Sequence, residues 1–83
     1  MTTTHLAYAE AYGLKAGGFR GAAKNKITGE IMRGEIRDTI EAARNDAKRF
    51  VFQFADGRNM ITATYQSPRG LWKCNYFIRS DEA

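Results

Sequence analysis

The sequence has little of what usually restrains a small chain. Its 83 residues include one cysteine, one proline and one histidine. A single cysteine cannot form an intramolecular disulfide, so a hydrophobic core must hold the fold together. Cys74 stands inside a strand-like run, which predicts a buried structural thiol rather than a nucleophile. We therefore expect a protein of the reducing cytoplasm.

Long hydrophobic runs are also absent. The first residues, MTTTHLAYAEAYG, have neither a basic start nor a continuous apolar stretch. We expect no export signal there and no membrane anchor elsewhere in the chain. With 43% hydrophobic residues in 83 positions, the sequence can bury one modest core, which predicts a single domain over residues 1–83.

Groups that carry out catalysis are scarce. The one histidine, His5, lies near the N-terminus, where we expect it to be mobile. No spacing of Cys, His, Asp or Glu is typical of a zinc or calcium site. The glycines of KAGGFRG lack the spacing of a phosphate-binding loop, which favours a flexible connector. Because most enzyme mechanisms need two convergent groups with tuned pKa values, the sequence predicts a protein that is not an enzyme and has no metal or cofactor.

The charge balance is positive. Lys and Arg number 13 against 9 Asp and Glu, which gives a formal net charge of +4. A field of this sign attracts phosphates or acidic protein surfaces. The alternative is that the charge serves only to keep a small domain in solution.

Turn residues in the segment AAKNKITGEIMRG predict a hairpin over residues 18–36. Its strands would span residues 18–24 and 30–36, with Asn25 in the turn and Gly29 in a left-handed conformation. A helix is predicted next, over residues 38–49.

The helix signal is a carboxylate, Asp38, placed three residues before Glu41, as in a capping box. Ile40, Ala43 and Ala47 continue at helical spacing and form a narrow apolar stripe. Arg37 and Arg44 are interpreted as solvated charge around this helix.

Alternation then predicts a three-stranded meander over residues 49–79, with strands at 49–55, 59–66 and 71–79. Phe50, Phe52 and Phe54 would share the core face of its first strand, which Asp56-Gly57 would end as a hairpin turn. A four-residue loop at 67–70 would close the second turn. The register that follows places Tyr65 opposite Trp72, Ala63 opposite Cys74, Ile61 opposite Tyr76, and Met60 opposite Phe77.

Residues 1–17 permit two interpretations. The alanines and Glu10 favour a helix that begins near Thr4 and ends at Gly13, and the alternative is an added edge strand. The predicted fold class is α+β, a two-layer structure in which an antiparallel sheet is packed by one helix, in the order (α)-β-β-α-β-β-β.

Positive side chains at turns and on the outer face of the meander are the candidate binding residues. Turn side chains reach furthest into solvent, and an apolar ring flanked by cations is typical of a contact surface. The predicted partner-binding or nucleic-acid-binding residues are Lys24, Lys26, Arg58, Arg69, Lys73, Phe77 and Arg79.

Two functions agree with these features. The first is a small protein-binding module that docks on a larger protein or ribonucleoprotein complex through basic loops. The second is a module that binds DNA or RNA directly, with the cations on phosphates and Phe77, together with Tyr8 or Tyr12, stacked on bases. A continuous cationic stripe would favour nucleic acid, whereas positive islands around an apolar patch would favour a protein.

The size, the single cysteine and the lack of catalytic groups resemble the build of small inhibitors and accessory proteins of phages and mobile elements, anti-CRISPR proteins among them. The resemblance includes no shared motif. It implies an inhibitor that docks on a larger, nucleic-acid-handling complex, and it assigns a role to no individual residue.

Overall fold

The computed structural model describes residues 2–66 and 71–82. Within them, five strands and one α-helix form two layers, which confirms the α+β class with an antiparallel sheet packed by one helix. The elements are β1 (Thr3–Gly13), β2 (Phe19–Asn25), β3 (Ile31–Arg33), α1 (Ile40–Ala55), β4 (Met60–Gln66), β5 (Trp72–Arg79) and a short 3-10 helix (Ser80–Glu82).

The N-terminal segment is a strand at the centre of the sheet. The strand order is β3-β2-β1-β5-β4, and β1 pairs antiparallel with both β2 and β5. This corrects the helix that was favoured for residues 1–17, and the strand is central where the alternative placed it at an edge. Ala7, Ala9 and Ala11 are fully buried, and they alternate with larger polar side chains. This period of two outweighs the helix propensity of alanine, because burial against α1 decides the conformation.

The helix is longer than predicted at its C-terminal end. It begins at Ile40, and its N-cap is Thr39, not Asp38, because the Thr39 hydroxyl accepts from the Ala42 N–H at 3.2 Å. The strand predicted over residues 49–55 is instead the second half of α1. Val51 and Phe54 extend the apolar stripe of Ala43 and Ala47 at helical spacing.

The phenylalanines of this segment therefore do not share one face. Phe54 is 6% exposed and lies in the core, Phe50 packs against the core's edge, and Phe52 is 64% exposed. Asp56-Gly57 ends the helix instead of turning a hairpin. Asp56 adopts a left-handed conformation with φ of 50°, and its N–H donates to the Phe52 carbonyl at 3.2 Å. Residues in the left-handed conformation occur both at the C-terminal end of a helix and in a two-residue hairpin turn. The Asp-Gly sequence therefore fits either structure.

The hairpin of β4 and β5 is confirmed, but its register differs by one residue from the prediction. Gln66 pairs with Trp72, and Ile61 pairs with Phe77. On β5, Trp72, Cys74, Tyr76 and Ile78 still face the core, as expected. On β4 the faces are exchanged, so that Ile61 and Ala63 point outward. A slip of one position exchanges faces because side chains alternate along a strand.

The core lies between α1 and the strands β1, β2 and β5. Its small side chains, Ala7, Ala9 and Ala11 on β1 and Ala43 and Ala47 on α1, let helix and sheet approach closely. Buried side chains of greater volume fill the remaining space: Leu6, Val51, Cys74 and Ile78. The sheet therefore has an inner face under α1 and an outer face on the opposite side.

Candidate functional site

No other described element packs on the outer face of the sheet, and its side chains define the candidate site. Cross-strand pairing places them in rows that run perpendicular to the strands. One row joins Ile31, Lys24, Tyr8, Asn75 and Ala63. A second joins Arg33, Ala22, Glu10 and Lys73, a third joins His5, Phe77 and Ile61, and Tyr12 stands beside Arg20.

Aromatic rings follow the length of β1 on this face. Tyr8 and Tyr12 are half-buried. They share the face because their positions along the strand differ by an even number. His5 is ordered in the sheet, contrary to the expected mobility. Its ring stacks on Phe77 with centroids 4.9 Å apart and planes at 22°, and its Nε2 lies 3.0 Å from Asn75 Oδ1. The outer face therefore carries the stacked rings of His5 and Phe77 at one end of β1, and Tyr8 and Tyr12 further along the same strand.

Cations surround these rings. Those at outward-facing strand positions are Arg20, Lys24, Arg33, Lys73 and Arg79. Among the outward strand positions that the structure describes, Glu10 is the one acidic residue. Arg79 is partly neutralised, since Asp81 accepts from its guanidinium at 3.0 Å. The outer face is thus strongly positive, and the positive side chains are spread over three of its strands, β2, β3 and β5.

A shallow groove of about 240 Å³ crosses β1, β2 and β3 on this face. The groove is deepest over the small side chain of Ala22, which is buried but lies outside the core cluster. Tyr8 and Tyr12 stand on one side, and Ile31 and Arg33 on the other. The Tyr8 hydroxyl donates to Glu10 Oε2 at 3.3 Å. Hydroxyl, carboxylate and guanidinium groups therefore converge on an apolar floor.

The structure brings together four of the seven residues that the sequence nominated. Lys24, Lys73, Phe77 and Arg79 all lie on the outer face. Lys26 is exposed beyond β2, where its backbone N–H donates to the Leu6 carbonyl at 2.7 Å. Arg69 lies outside the described residues.

Arg58 stands at the end of α1, away from the outer face. Its Nε donates to the Ala55 carbonyl and its Nη2 to the Phe54 carbonyl, both at 2.7 Å. The last carbonyls of a helix have no partner within the helix, so a cation there is stabilising. The side chain of Arg58 is therefore engaged in holding the helix terminus, and its role in binding stays a prediction.

The basic residues near the helix serve the fold. Arg37 donates to both oxygens of Asp46, at 2.7 and 3.0 Å, and Arg49 donates to the same carboxylate. The hydrogen bonds from Arg37 hold the pKa of Asp46 below its ordinary value and raise the pKa of Arg37. Arg37 is therefore not the solvated charge that the sequence suggested.

Two further helix cations pack on the indole of Trp72. The Arg44 guanidinium is 5.5 Å and the Lys48 ammonium 5.9 Å from the ring centroid, within the range of cation–π attraction. Nearby, burial raises the pKa of Tyr76, with a further contribution from Cys74. The cation–π contacts stabilise the inner side of the sheet and engage Arg44 and Lys48 there.

Sequence reasoning missed several members of the outer face. Arg20, Arg33 and Glu10 were not nominated, and Tyr8 and Tyr12 were considered only as stacking groups. The signal that could have found them is the alternation A-Y-A-E-A-Y over residues 7–12. Alanine at every second position with large polar residues between them is typical of a strand that lies closely on a helix.

No protein-family model, curated protein sequence or solved structure matches the chain. The function is therefore inferred from the geometry of the site. No helix in the described part of the chain is both long and apolar enough to cross a membrane.

Proposed function

We propose that the protein binds single-stranded nucleic acid on the outer face of its sheet. The observation that supports this proposal is the interleaving of aromatic rings and cations on one uncovered face. Rings offer stacking surfaces to unpaired bases, and cations between them contact the phosphates that link those bases. The helix and its cations lie on the opposite side, so none of the described helices or strands covers the face.

The shape of the face favours a single strand over a duplex. Five strands spaced by about 4.8 Å make a surface about 19 Å wide. A B-DNA major groove is about 12 Å wide and admits a helix or a two-stranded ribbon, not this sheet. Bases in a duplex also hide their faces in the stack, whereas an unpaired base can lie on Tyr8, Tyr12 or the His5–Phe77 pair. Among nucleic acids, an unpaired strand is the one that presents free base faces to these rings.

The test is fluorescence anisotropy of labelled 20-mers of thymidine and of uridine, and of a mixed-sequence duplex, over a salt series. We expect saturable binding of a single strand that weakens as salt rises, with a logarithmic slope of about −0.7 for each phosphate contacted. The duplex should bind more weakly under the same conditions. Equal affinity for duplex and single strands would contradict the stacking part of the proposal.

A pair of charge-reversal variants tests the location. Lys73→Glu, on the outer face, should weaken single-strand binding by about tenfold and flatten the salt slope, because one phosphate contact is lost and a repulsion is gained. Lys48→Glu makes the same change in net charge on the helix layer and should leave affinity nearly unchanged. Equal losses in the two variants would show that only overall charge matters and would overturn the assignment to the outer face.

A second candidate function is the protein-binding module, including an inhibitor that docks on a larger complex. The observation that favours it is Phe52, which is 64% exposed beside a groove of about 500 Å³ lined in part by Met60 and Tyr76. Exposed aromatic residues beside apolar grooves are typical of protein contacts. If no oligonucleotide binds at low salt, this candidate replaces the first. Pull-down with wild type and Phe52→Ser should then recover a partner with the wild type alone.

A further inference from the structure

The one acidic side chain of the outer face lies in its groove. A carboxylate on a surface that attracts phosphates weakens that attraction, so its position calls for a local explanation. Glu10 lies between Tyr8 and Tyr12 along β1, and across the strands it pairs with Ala22 and Lys73. No ion pair within 4 Å joins Glu10 to a cation among the described residues. The carboxylate therefore has acceptor capacity that the described part of the chain does not use.

The carboxylate of Glu10 can accept several hydrogen bonds. An ionised carboxylate has about four acceptor positions. Among the residues that the structure describes, Glu10 accepts one hydrogen bond, from the Tyr8 hydroxyl at 3.3 Å, which is long for an O–H···O bond. The groove beside it holds about 240 Å³, just below the range of about 300–1,000 Å³ that suits drug-sized ligands. A site of this size fits a single flat ring system with donors along one edge.

We infer that this groove binds one guanine base, whose Watson–Crick edge donates to the carboxylate of Glu10. The inference extends the proposed binding of single-stranded nucleic acid and depends on it. The base lies over Ala22, where the absence of a large side chain leaves room, and the two tyrosines border it. Arg33 and Lys24 stand at the rim, where the phosphates on either side of the base would pass.

Guanine is selected by the pattern of its edge. Its N1–H and N2–H are adjacent donors that point the same way, and they match the two oxygens of a carboxylate. Adenine and cytosine each place an acceptor next to their amino group, and uracil and thymine place carbonyl oxygens on both sides of N3–H. An acceptor facing a carboxylate is repelled, and both groups would lose hydration without replacement. Charge-assisted paired hydrogen bonds are also the stronger kind.

The experiment uses the wild-type protein and thymidine 12-mers that carry one central substitution. Guanine at that position should tighten binding by about tenfold over thymine, adenine or cytosine, which corresponds to one good bidentate contact. Hypoxanthine, which lacks the N2 amino group, should lose most of this gain. 7-Deazaguanine, which keeps the same edge, should retain it.

Glu10→Gln separates recognition from structure. It preserves the size of the side chain but replaces one acceptor with a donor, so the preference for guanine should fall to about twofold or less. Affinity for the all-thymine strand should stay equal or rise, because a negative charge is lost. If Glu10 only supported the fold, all strands would weaken together and the melting temperature would fall.

The outcomes also separate the inference from the function on which it depends. Binding of the all-thymine strand without any gain from guanine would overturn the guanine site and leave single-strand binding intact. A guanine gain that persists in Glu10→Gln would overturn the role of Glu10. Failure of every strand to bind at low salt would overturn the proposed function itself.

Discussion

Single residues set the distance between the two layers. Gly21 on β2 lies directly beneath α1, and a Cβ atom there would overlap the Ala43 carbonyl oxygen and press on the Ala47 backbone. Backbone atoms of a helix cannot move aside as a flexible side chain would. The close fit of α1 on β1 and β2 therefore depends on the missing side chain at this position.

We expect Gly21→Ala to lower the free energy of unfolding by about 3 kcal/mol, at the upper end of the usual cost of overpacking, because helix and sheet must separate. Urea denaturation followed by circular dichroism measures the change. Gly13→Ala is the matched control, since its added carbon would lie 3.7 Å from the Phe19 ring in ordinary contact. Equal stability of the two variants would show that α1 does not rest on Gly21 as described.

The ionisation of Asp46 makes the stability of the fold depend on pH in the acid range. Arg37 holds its pKa below the ordinary value of 3.8, so the native state keeps Asp46 ionised at a pH where the unfolded chain is already protonated. The stabilisation is therefore complete above that ordinary value and is lost as the pH falls through the lower, folded pKa.

We expect Asp46→Asn to lower the urea midpoint at pH 7, with a difference from wild type that shrinks as the pH falls below about 4. Asp81→Asn is the control, because the Arg79–Asp81 pair is exposed on both sides and such pairs contribute little. A difference that stays constant down to pH 2 would show that charge on Asp46 is not the cause.

At the scale of elements, the sequence predicted structure that depends on adjacent residues better than structure that depends on distant contacts. The β2–β3 hairpin was found because Asn25 and Gly29 carry the turn chemistry: Asn25 Oδ1 accepts from the N–H groups of Ile27 and Thr28, at 2.9 and 3.1 Å, and Gly29 has φ of 85°. These contacts are local, so adjacent residues specify them.

Two elements were assigned to the wrong class because short apolar patterns fit both periods. Phe50, Phe52 and Phe54 alternate like a strand, yet Phe54 also continues the helical spacing of Ala43 and Ala47. Whether the helical or the strand period applies depends on which other elements pack against the segment, and that packing is a tertiary contact. The candidate site was half found for the same reason: the β5 residues were placed on the correct face, whereas a helix was favoured over a strand for β1.

The length of α1 gives a direct test of these assignments. We expect Phe54→Ala to cost about 3–5 kcal/mol as a core deletion and Phe52→Ala to change stability by less than about 0.5 kcal/mol. Chemical denaturation of the two variants measures both values. The strand interpretation predicts equal losses, so a similar cost for Phe52→Ala would contradict the helix beyond residue 49.

At the scale of the whole molecule, the two sides of the sheet have separate tasks. The inner side carries the core and α1, together with the ion pairs and cation–π contacts that hold them. The outer side carries the rings and cations of the proposed site. Because few side chains serve both sides, substitutions on the outer face should alter binding with little change in the stability of the free protein.

Binding should nevertheless stabilise the protein, because a ligand that binds only the folded state shifts the unfolding equilibrium. A single strand at 100 times its Kd adds about 2.7 kcal/mol, and a domain of this size gains about 4 °C or more per kcal/mol. We expect the melting temperature to rise by about 10 °C in differential scanning fluorimetry. Lys73→Glu, whose Kd should be about tenfold higher, should show about half of this rise at the same concentration of strand.

The central position of β1 also determines the stage of folding at which the complete site forms. His5 and Asn75 are hydrogen-bonded neighbours separated by 70 positions in the chain, so bringing β5 to β1 closes a long loop at an entropic cost of about 4 kcal/mol. The groove over β1, β2 and β3 needs only contacts nearer in sequence, whereas the His5–Phe77 stack needs this last closure. Folding kinetics should therefore be slow for a chain of this length, and the His5–Phe77 end of the outer face should form only with this closure.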